Sequence, residues 1–143
     1  KSEELLQLNF STSKVNVDRN SEIEMLDLIN NERESAGLAG LEEDQELRDI
    51  ARNHCLDMLS RGYFSHYTPE GKSPFDRMAD GNIDFKFAGE NLALAPNTKL
   101  AMKGLMGSEG HRANILSEKF GAMGIGVIDA GIYGEMFCQE FTD

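Results

Sequence analysis

The spacing of apolar residues divides the chain into helical and strand-like runs. Met25, Leu26 and Ile29 recur at helical intervals behind Ser21 and Glu24, a capping-box pair, and the run stops near Gly37. A loop then pins Leu38 and Leu41, and Asp44 suits the cap of a second helix. Leu47, Ile50, Ala51, His54, Cys55, Met58 and Leu59 give that helix a broad apolar stripe ending at Gly62. His54 falls on the stripe and reads as a satisfied core or boundary histidine, outside any site. Ser73-Pro74 places a cap and a first-turn proline at the head of a short helix closed by Gly81. Residues 98–106 read as a third substantial helix, with Leu100, Met102, Leu105 and Met106 as its apolar positions.

Strand-like patterning is concentrated late in the chain. Residues 85–95 alternate through Phe85 and Phe87 into Gly-Glu-Asn-Leu-Ala at 89–93. Residues 122–128 and 132–141 are two further strand-like runs, joined by Asp129-Ala130-Gly131 as a short hairpin connection. Residues 63–72 have no period and read as a loop, with Pro69 to Gly71 forming a turn. Residues 1–20 are polar with brief apolar touches at Leu5, Leu6, Leu8 and Phe10, an N-terminal arm or linker before a domain spanning 21–143. Helices come first and a hairpin last, so the expected class is α+β rather than an alternating βαβ sheet.

At 143 residues the chain can bury one real core without disulfide staples. The net charge of −11, with no cluster of Lys and Arg, argues against nucleic acid and anionic lipid surfaces as partners. The same charge would draw cations into a concave acidic region. No apolar run is long enough to span a bilayer. The chain begins at Lys1 rather than Met and reads as a trimmed or mature form, so a missing leader says nothing about secretion. Cys55 and Cys138 sit in apolar contexts and fit no zinc-knuckle spacing. Two buried thiols are the default reading, and one bridge between the second helix and the last strand is the alternative.

Three segments hold a polar functional residue between Gly, Pro or aromatic neighbours. They are Phe64-Ser65-His66-Tyr67, Gly89-Glu90-Asn91-Leu92-Ala93, and Ser108-Glu109-Gly110-His111-Arg112-Ala113-Asn114-Ile115-Leu116. The last segment, framed by Gly107 and Gly110, reads as a helix–strand connection able to turn sharply and present His111 at a rim. A glutamate inside an apolar stretch is costly if buried without a partner, so Glu90 is either edge-exposed or faces a polar cleft.

The order and spacing of these segments resemble the CAP superfamily of cysteine-rich secretory, antigen 5 and plant pathogenesis-related proteins, most nearly its bacterial SCP-like extracellular branch. The likeness runs from about Ile23 to Phe141 and includes Leu28-Ile29-Asn30 with Glu32-Arg33, Gly124-Ile125-Gly126-Val127, and Gln139-Glu140-Phe141. The resemblance implies a three-layer α-β-α sandwich with a central, mostly antiparallel sheet, and an open cleft lined by two histidines and acidic residues. His66 matches the first cleft histidine, Glu90 the cleft glutamate, and His111 the second histidine. In some members the histidine pair holds a divalent metal such as zinc, which suits neutral imidazoles with a carboxylate nearby. Animal and plant members carry a second cleft acid at a place that falls near Ser108 here, leaving Glu109, one residue on, as the candidate substitute. Leu105 stands where an aromatic is usual.

The resemblance implies an extracellular or cell-surface protein whose cleft meets an extracellular ligand or protein partner. A non-catalytic binding module is the leading expectation, because two histidines and one glutamate are only part of a catalytic set. The alternatives are a hydrolase, using Glu90 beside a metal or Ser108 with His111, and a lipid or sterol carrier.

Overall fold

Helix α1, Arg19–Ser35, begins before the position its sequence suggests. Its cap is Asp18, whose carboxylate accepts from the Ser21 backbone amide at 3.1 Å and from the Ser21 hydroxyl at 2.8 Å. The Ser21–Glu24 pair is therefore already inside the helix and is not the capping box. A competing acid three residues upstream already satisfies the helix's first free N–H groups. The computed structural model describes residues 6–143, so Leu5 and the start of the arm lie outside the described residues.

The arm carries two short strands, β1 (Leu6–Gln7) and β2 (Asn16–Val17). After α1 come β3 (Glu42–Glu43), α2 (Gln45–Arg61), β4 (Tyr63–Phe64), α3 (Pro74–Asp80) and β5 (Ala88–Ala95). The chain continues through α4 (Thr98–Met106), α5 (Glu109–Ile115), β6 (Ala122–Asp129), a single 3-10 turn at Gly131–Tyr133, and β7 (Glu135–Thr142). Asp44 caps α2, Gly62 ends it in the left-handed conformation at φ 72°, and Ser73 with Asp76 forms a capping box on α3. The segment expected as an irregular turn around Gly110 is instead the short helix α5. The last strand starts at Glu135 rather than Ile132, because Gly131 and Gly134 take positive φ and extend the hairpin connection over 130–134.

The main sheet runs β2-β6-β7-β5, with β3 also pairing β6; all these pairs are antiparallel except the parallel β3–β6. One face of β6 and β7 presents Met123, Ile125, Val127, Phe137 and Phe141 to α1, α4 and α5. The other face presents Ile128, Met136 and Cys138 to Ala51, Cys55, Met58 and Leu59 of α2. The period of two in the strands thus feeds two separate cores, and the fold is a three-layer α-β-α sandwich. Cys55 and Cys138 are free, buried thiols. No helix among the described residues is long and apolar enough to cross a membrane.

The described part of the arm is docked. β1 pairs β4, the Leu8 amide donates to the Gly62 carbonyl at 2.9 Å, and Phe10 stacks on Tyr133 at a centroid distance of 4.0 Å. Where the arm meets α1, Glu22 is fully buried and accepts from Arg52 at 2.6 and 2.7 Å, from Arg19 at 3.1 Å and from the Val127 amide. This one carboxylate ties α1, α2 and β6 together.

Two outcomes follow from this packing. A Cβ on Gly124 would lie 2.2 Å from backbone atoms of Leu47 and Arg48, so Gly124→Ala is expected to destabilise by about 1–3 kcal/mol or more. Gly121→Ala, whose Cβ meets nothing closer than 3.7 Å, serves as the near-neutral control in the same denaturant titration. The second concerns Glu135, whose pKa burial and the neighbouring Asp18 carboxylate push up to about 8, while its hydrogen bond holds Asp18 low. The folded protein keeps the Glu135 proton where the unfolded chain has lost it, so this group's contribution declines as pH rises from the ordinary carboxylate range to about 8. Glu135→Gln should therefore gain stability relative to the parent between acid and mildly alkaline pH, read from denaturation midpoints at both. An unchanged difference would show that the pair holds no proton.

Candidate functional site

Strand β5 is the sheet's edge, and its residues alternate between two differently occupied faces. Glu90, Leu92 and Leu94 point to the α2 side, while Asn91, Ala93 and Ala95 point to the α4–α5 side. Cross-strand register sets Glu90 opposite Glu140 and Asn91 opposite Gln139. Each face of the strand pair β5–β7 therefore carries a buried polar couple at the same level of the sheet.

On the first face Glu90 is the centre. His66 Nδ1 lies 2.7 Å from Glu90 Oε1, and Arg77 donates to both Glu90 oxygens at 2.9 and 3.2 Å. Arg77 also donates to the His66 carbonyl at 2.6 Å, so the guanidinium of α3 fixes both the carboxylate and the loop that carries the histidine. Glu140 is fully buried, with Arg77 at 3.5 Å and the Cys138 thiol at 3.2 Å. Burial would raise Glu90, but hydrogen bonds from Glu140 and His66 and the charge of Arg77 overcome it and hold the carboxylate below its ordinary range. Burial first, and then the Glu90 charge, push Glu140 well above its ordinary range. One guanidinium thus faces two carboxyls whose affinities for a proton are driven apart.

On the second face, Asn91 donates to Gln139 at 2.9 Å and to the His111 carbonyl at 3.0 Å. Asn114 of α5 donates to Asn91 Oδ1 at 2.9 Å and to the Glu90 carbonyl at 3.3 Å, covering the open edge of β5. Gly89 makes this possible, since a Cβ there would lie 2.9 Å from Asn114 Oδ1. From below, the buried Arg33 of α1 donates to the carbonyls of Ile115 and Ser117 and seats the end of α5. The Gly-Glu-Asn triplet is thus read residue by residue: room for α5, a carboxylate for His66 and Arg77, and an amide for the backbone of His111.

His66 and Glu90 share a cleft of about 280 Å³ with Tyr67, Pro74, Phe75 and Asn114. His111 stands on α5, half-buried, with its Nδ1 buried and unpartnered. Burial first, and then the charge of His66, lower its pKa. Ser108 caps α5 with its backbone, and its side chain makes no capping bond. Glu109 is exposed in the first turn of α5, and no hydrogen bond or ion pair among the described residues ties it to Glu90.

His54 is buried as its stripe position predicts, with Nε2 2.8 Å from the Ser65 carbonyl, but its Nδ1 has no partner. Arg77, Glu140 and Asn114 are given no role by the sequence reading, although Asn114 lies in the polar segment before Ile115 and Glu140 in the closing Gln139-Glu140-Phe141. Glu140 carries a further signal, a charge on the inward phase of a strand whose neighbours in that phase are Met136 and Cys138. Glu90, Cys138 and Glu140 also lie close enough together to hold an ion, but all three are buried and Glu90 already serves Arg77 and His66.

Comparison with known proteins places this geometry. The protein YkwD of Bacillus subtilis is 39% identical over 121 residues, 84% of this chain and 46% of that protein. The membrane protein YlbC of the same organism is 37% identical over 126 residues, 87% of this chain and 36% of that one. The chain thus spans less than half the length of these curated relatives. An extracellular protein containing a SCP domain from Bacillus anthracis superposes with a TM-score of 0.79 at 34% identity, covering 87% of this chain and 41% of that chain. An outer surface protein from Borrelia burgdorferi has the same fold, with a TM-score of 0.80 at 18% identity over 88% of this chain and 95% of that chain. Residues 26–141 match the CAP family, described as the cysteine-rich secretory protein family. With the Gly-Glu-Asn edge strand and the helix that carries His111 both inside that span, this chain belongs to the CAP family.

Proposed function

We propose that this domain is an extracellular, non-catalytic binding module whose cleft takes a divalent metal on His66 and His111. The observation that carries the reading is the 2.7 Å contact between His66 Nδ1 and Glu90. A neutral ring that donates from Nδ1 to a carboxylate keeps its lone pair on Nε2 and is held in one orientation, the usual support for a metal-binding histidine. A bound zinc ion would supply Lewis acidity and charge for gripping an anionic group of a partner.

Two features favour binding over hydrolysis. Glu90 is fully engaged by His66 and Arg77 and sits in its anionic form as their anchor, so it is not poised to move protons. Ser108, the candidate nucleophile, heads α5 three residues before His111, and no hydrogen bond among the described residues links the two. The extracellular placement draws on the structural relatives described as extracellular or outer surface proteins.

Titration calorimetry with zinc is expected to show one ion per chain. His66→Ala and His111→Ala should each abolish saturable binding. Glu90→Gln, which loosens the orientation of His66, should weaken it by about 10–100-fold. Thermal melts of each variant distinguish loss of the site from loss of the fold. Binding unchanged in His111→Ala would overturn the reading.

A further inference from the structure

Helices α1 and α4 pack against the same face of the sheet, and a groove of about 340 Å³ lies between them. Leu28 and Glu32 form its α1 wall, and Lys99, Met102, Lys103 and Met106 its α4 wall. Exposure sorts these residues by height. Met102 is buried, Leu28 and Met106 are half-buried, and Glu32, Lys99 and Lys103 are exposed. The groove therefore has an apolar floor, an acidic rim on α1 and a basic rim on α4.

None of the three rim charges has an ion-pair partner among the described residues, whereas Arg19, Arg52, Arg61, Lys72 and Arg77 each face a carboxylate. Lys99 and Lys103 stand one helical turn, about 6 Å, apart. A chain of net charge −11 thus leaves two neighbouring cations unused beside an apolar floor. On the outer flank of α4, Leu100 is 50% exposed, and Gly104 has open space where a Cβ would stand. Glycine inside a helix is unfavourable relative to alanine, and no contact among the described residues calls for it here.

A surface with opposite charges on its two margins can pair with itself. Under a two-fold axis running along the groove, the basic rim of each copy lies on the acidic rim of the other. A two-fold axis running across the groove would stack lysine on lysine, so charge selects the first arrangement. The methionines, unbranched and adaptable, can fill the space between the facing floors. At ordinary ionic strength charges more than about 8–10 Å apart are largely screened, so most of the net charge acts weakly across this contact while the rim pairs fall within that distance.

We propose that the α1–α4 groove is the interface of a symmetric dimer of this chain, with Lys99 and Lys103 of each copy meeting Glu32 of the other. No residue lining the His66–Glu90 cleft also lines the groove, so the dimer leaves both clefts free. If the cleft binds as proposed above, the dimer is bivalent and gains avidity for a surface with repeated partners. The dimer itself does not depend on that reading.

The test is sedimentation velocity of the intact chain from about 1 μM to about 1 mM, where a concentration-dependent dimer is expected. Glu32→Lys and Lys103→Glu, both at exposed helix positions, should each weaken it by about tenfold or more, because two-fold symmetry turns each substitution into two like-charge contacts. Mixing the two variants in equal amounts should restore the dimer. The two new side chains then face one another, and the untouched Lys103 of one chain faces the untouched Glu32 of the other. Thermal melts matching the parent's show that both variants fold. A parent that stays monomeric throughout, variants that dimerise like the parent, or no recovery on mixing would each overturn the proposal. So would a monomer whose Met102 and Met106 methyl signals shift on adding decanoate or an acidic helical peptide, which assigns the groove to a lipid or a different protein. Chelator in every sample keeps the result separate from that of the zinc titration.

Discussion

Helix α2 can lie directly on the sheet only because β6 presents glycine where the two backbones meet. A Cβ at Gly124 or Gly126 would come within 2.2 or 2.5 Å of the backbone of α2. The pair therefore sets the depth of the whole layer, because any side chain at either position would hold α2 off the sheet. Cys55 consequently lies 3.7 and 3.4 Å from the carbonyls of Gly126 and Met136, and His54 is driven against the loop that leads to His66. Buried Glu22, bonded to Arg52 of α2 and to the Val127 amide of β6, fixes the same helix along the strand. Close approach and ion pairing act on the same interface, one setting distance and the other register.

With that layer fixed, the edge of the sheet becomes the place where polar groups gather. An edge strand has free backbone groups that need cover. Here α5 covers them through Asn114, and the same contact brings His111 alongside the strand. The hydrophobic alternation continues through β5 but breaks at Glu90 and Asn91, where both faces carry amides and carboxylates instead of methyl groups. Burying that many polar atoms is tolerable only when nearly all are paired. Arg77 makes the pairing possible on the α3 side, because one planar guanidinium bonds a carboxylate in two places and a carbonyl beside it.

Most of the architecture is legible in the sequence because it follows from local rules. Asp44, Gly62, Ser73 and Gly81 mark helix ends by capping chemistry, and each stands where the structure stops or starts a helix. Ser21 misleads for the same reason: it satisfies a local rule that Asp18 satisfies one turn sooner. Residues 107–116 show the limit, since two glycines and mixed polar groups suggest a loop, and it is tertiary support from Arg33 and Asn91 that makes the segment helical. Among the site residues, His66 and Glu90 are legible through their glycine and aromatic settings. Arg77 is not, because nothing in a short amphipathic helix distinguishes an inward guanidinium from one in water. Only the fold reveals that α3 crosses the end of β5.

The position of Arg77 carries a further consequence for the electrostatics of the site. Two carboxyls lie against one guanidinium, so full ionisation of both would leave a buried negative charge uncompensated, and burial with the Glu90 charge drives Glu140 well above its ordinary range. Burial opposes the ionised form of Glu90 as well, but its hydrogen-bond partners and the charge of Arg77 outweigh burial and hold it below its ordinary range. The carboxylate behind His66 is thereby held in a single ionisation state and a single orientation by groups that solvent does not reach. An imidazole backed in this way is fixed in orientation before anything meets it, which is the arrangement that the proposed metal-binding role of His66 requires.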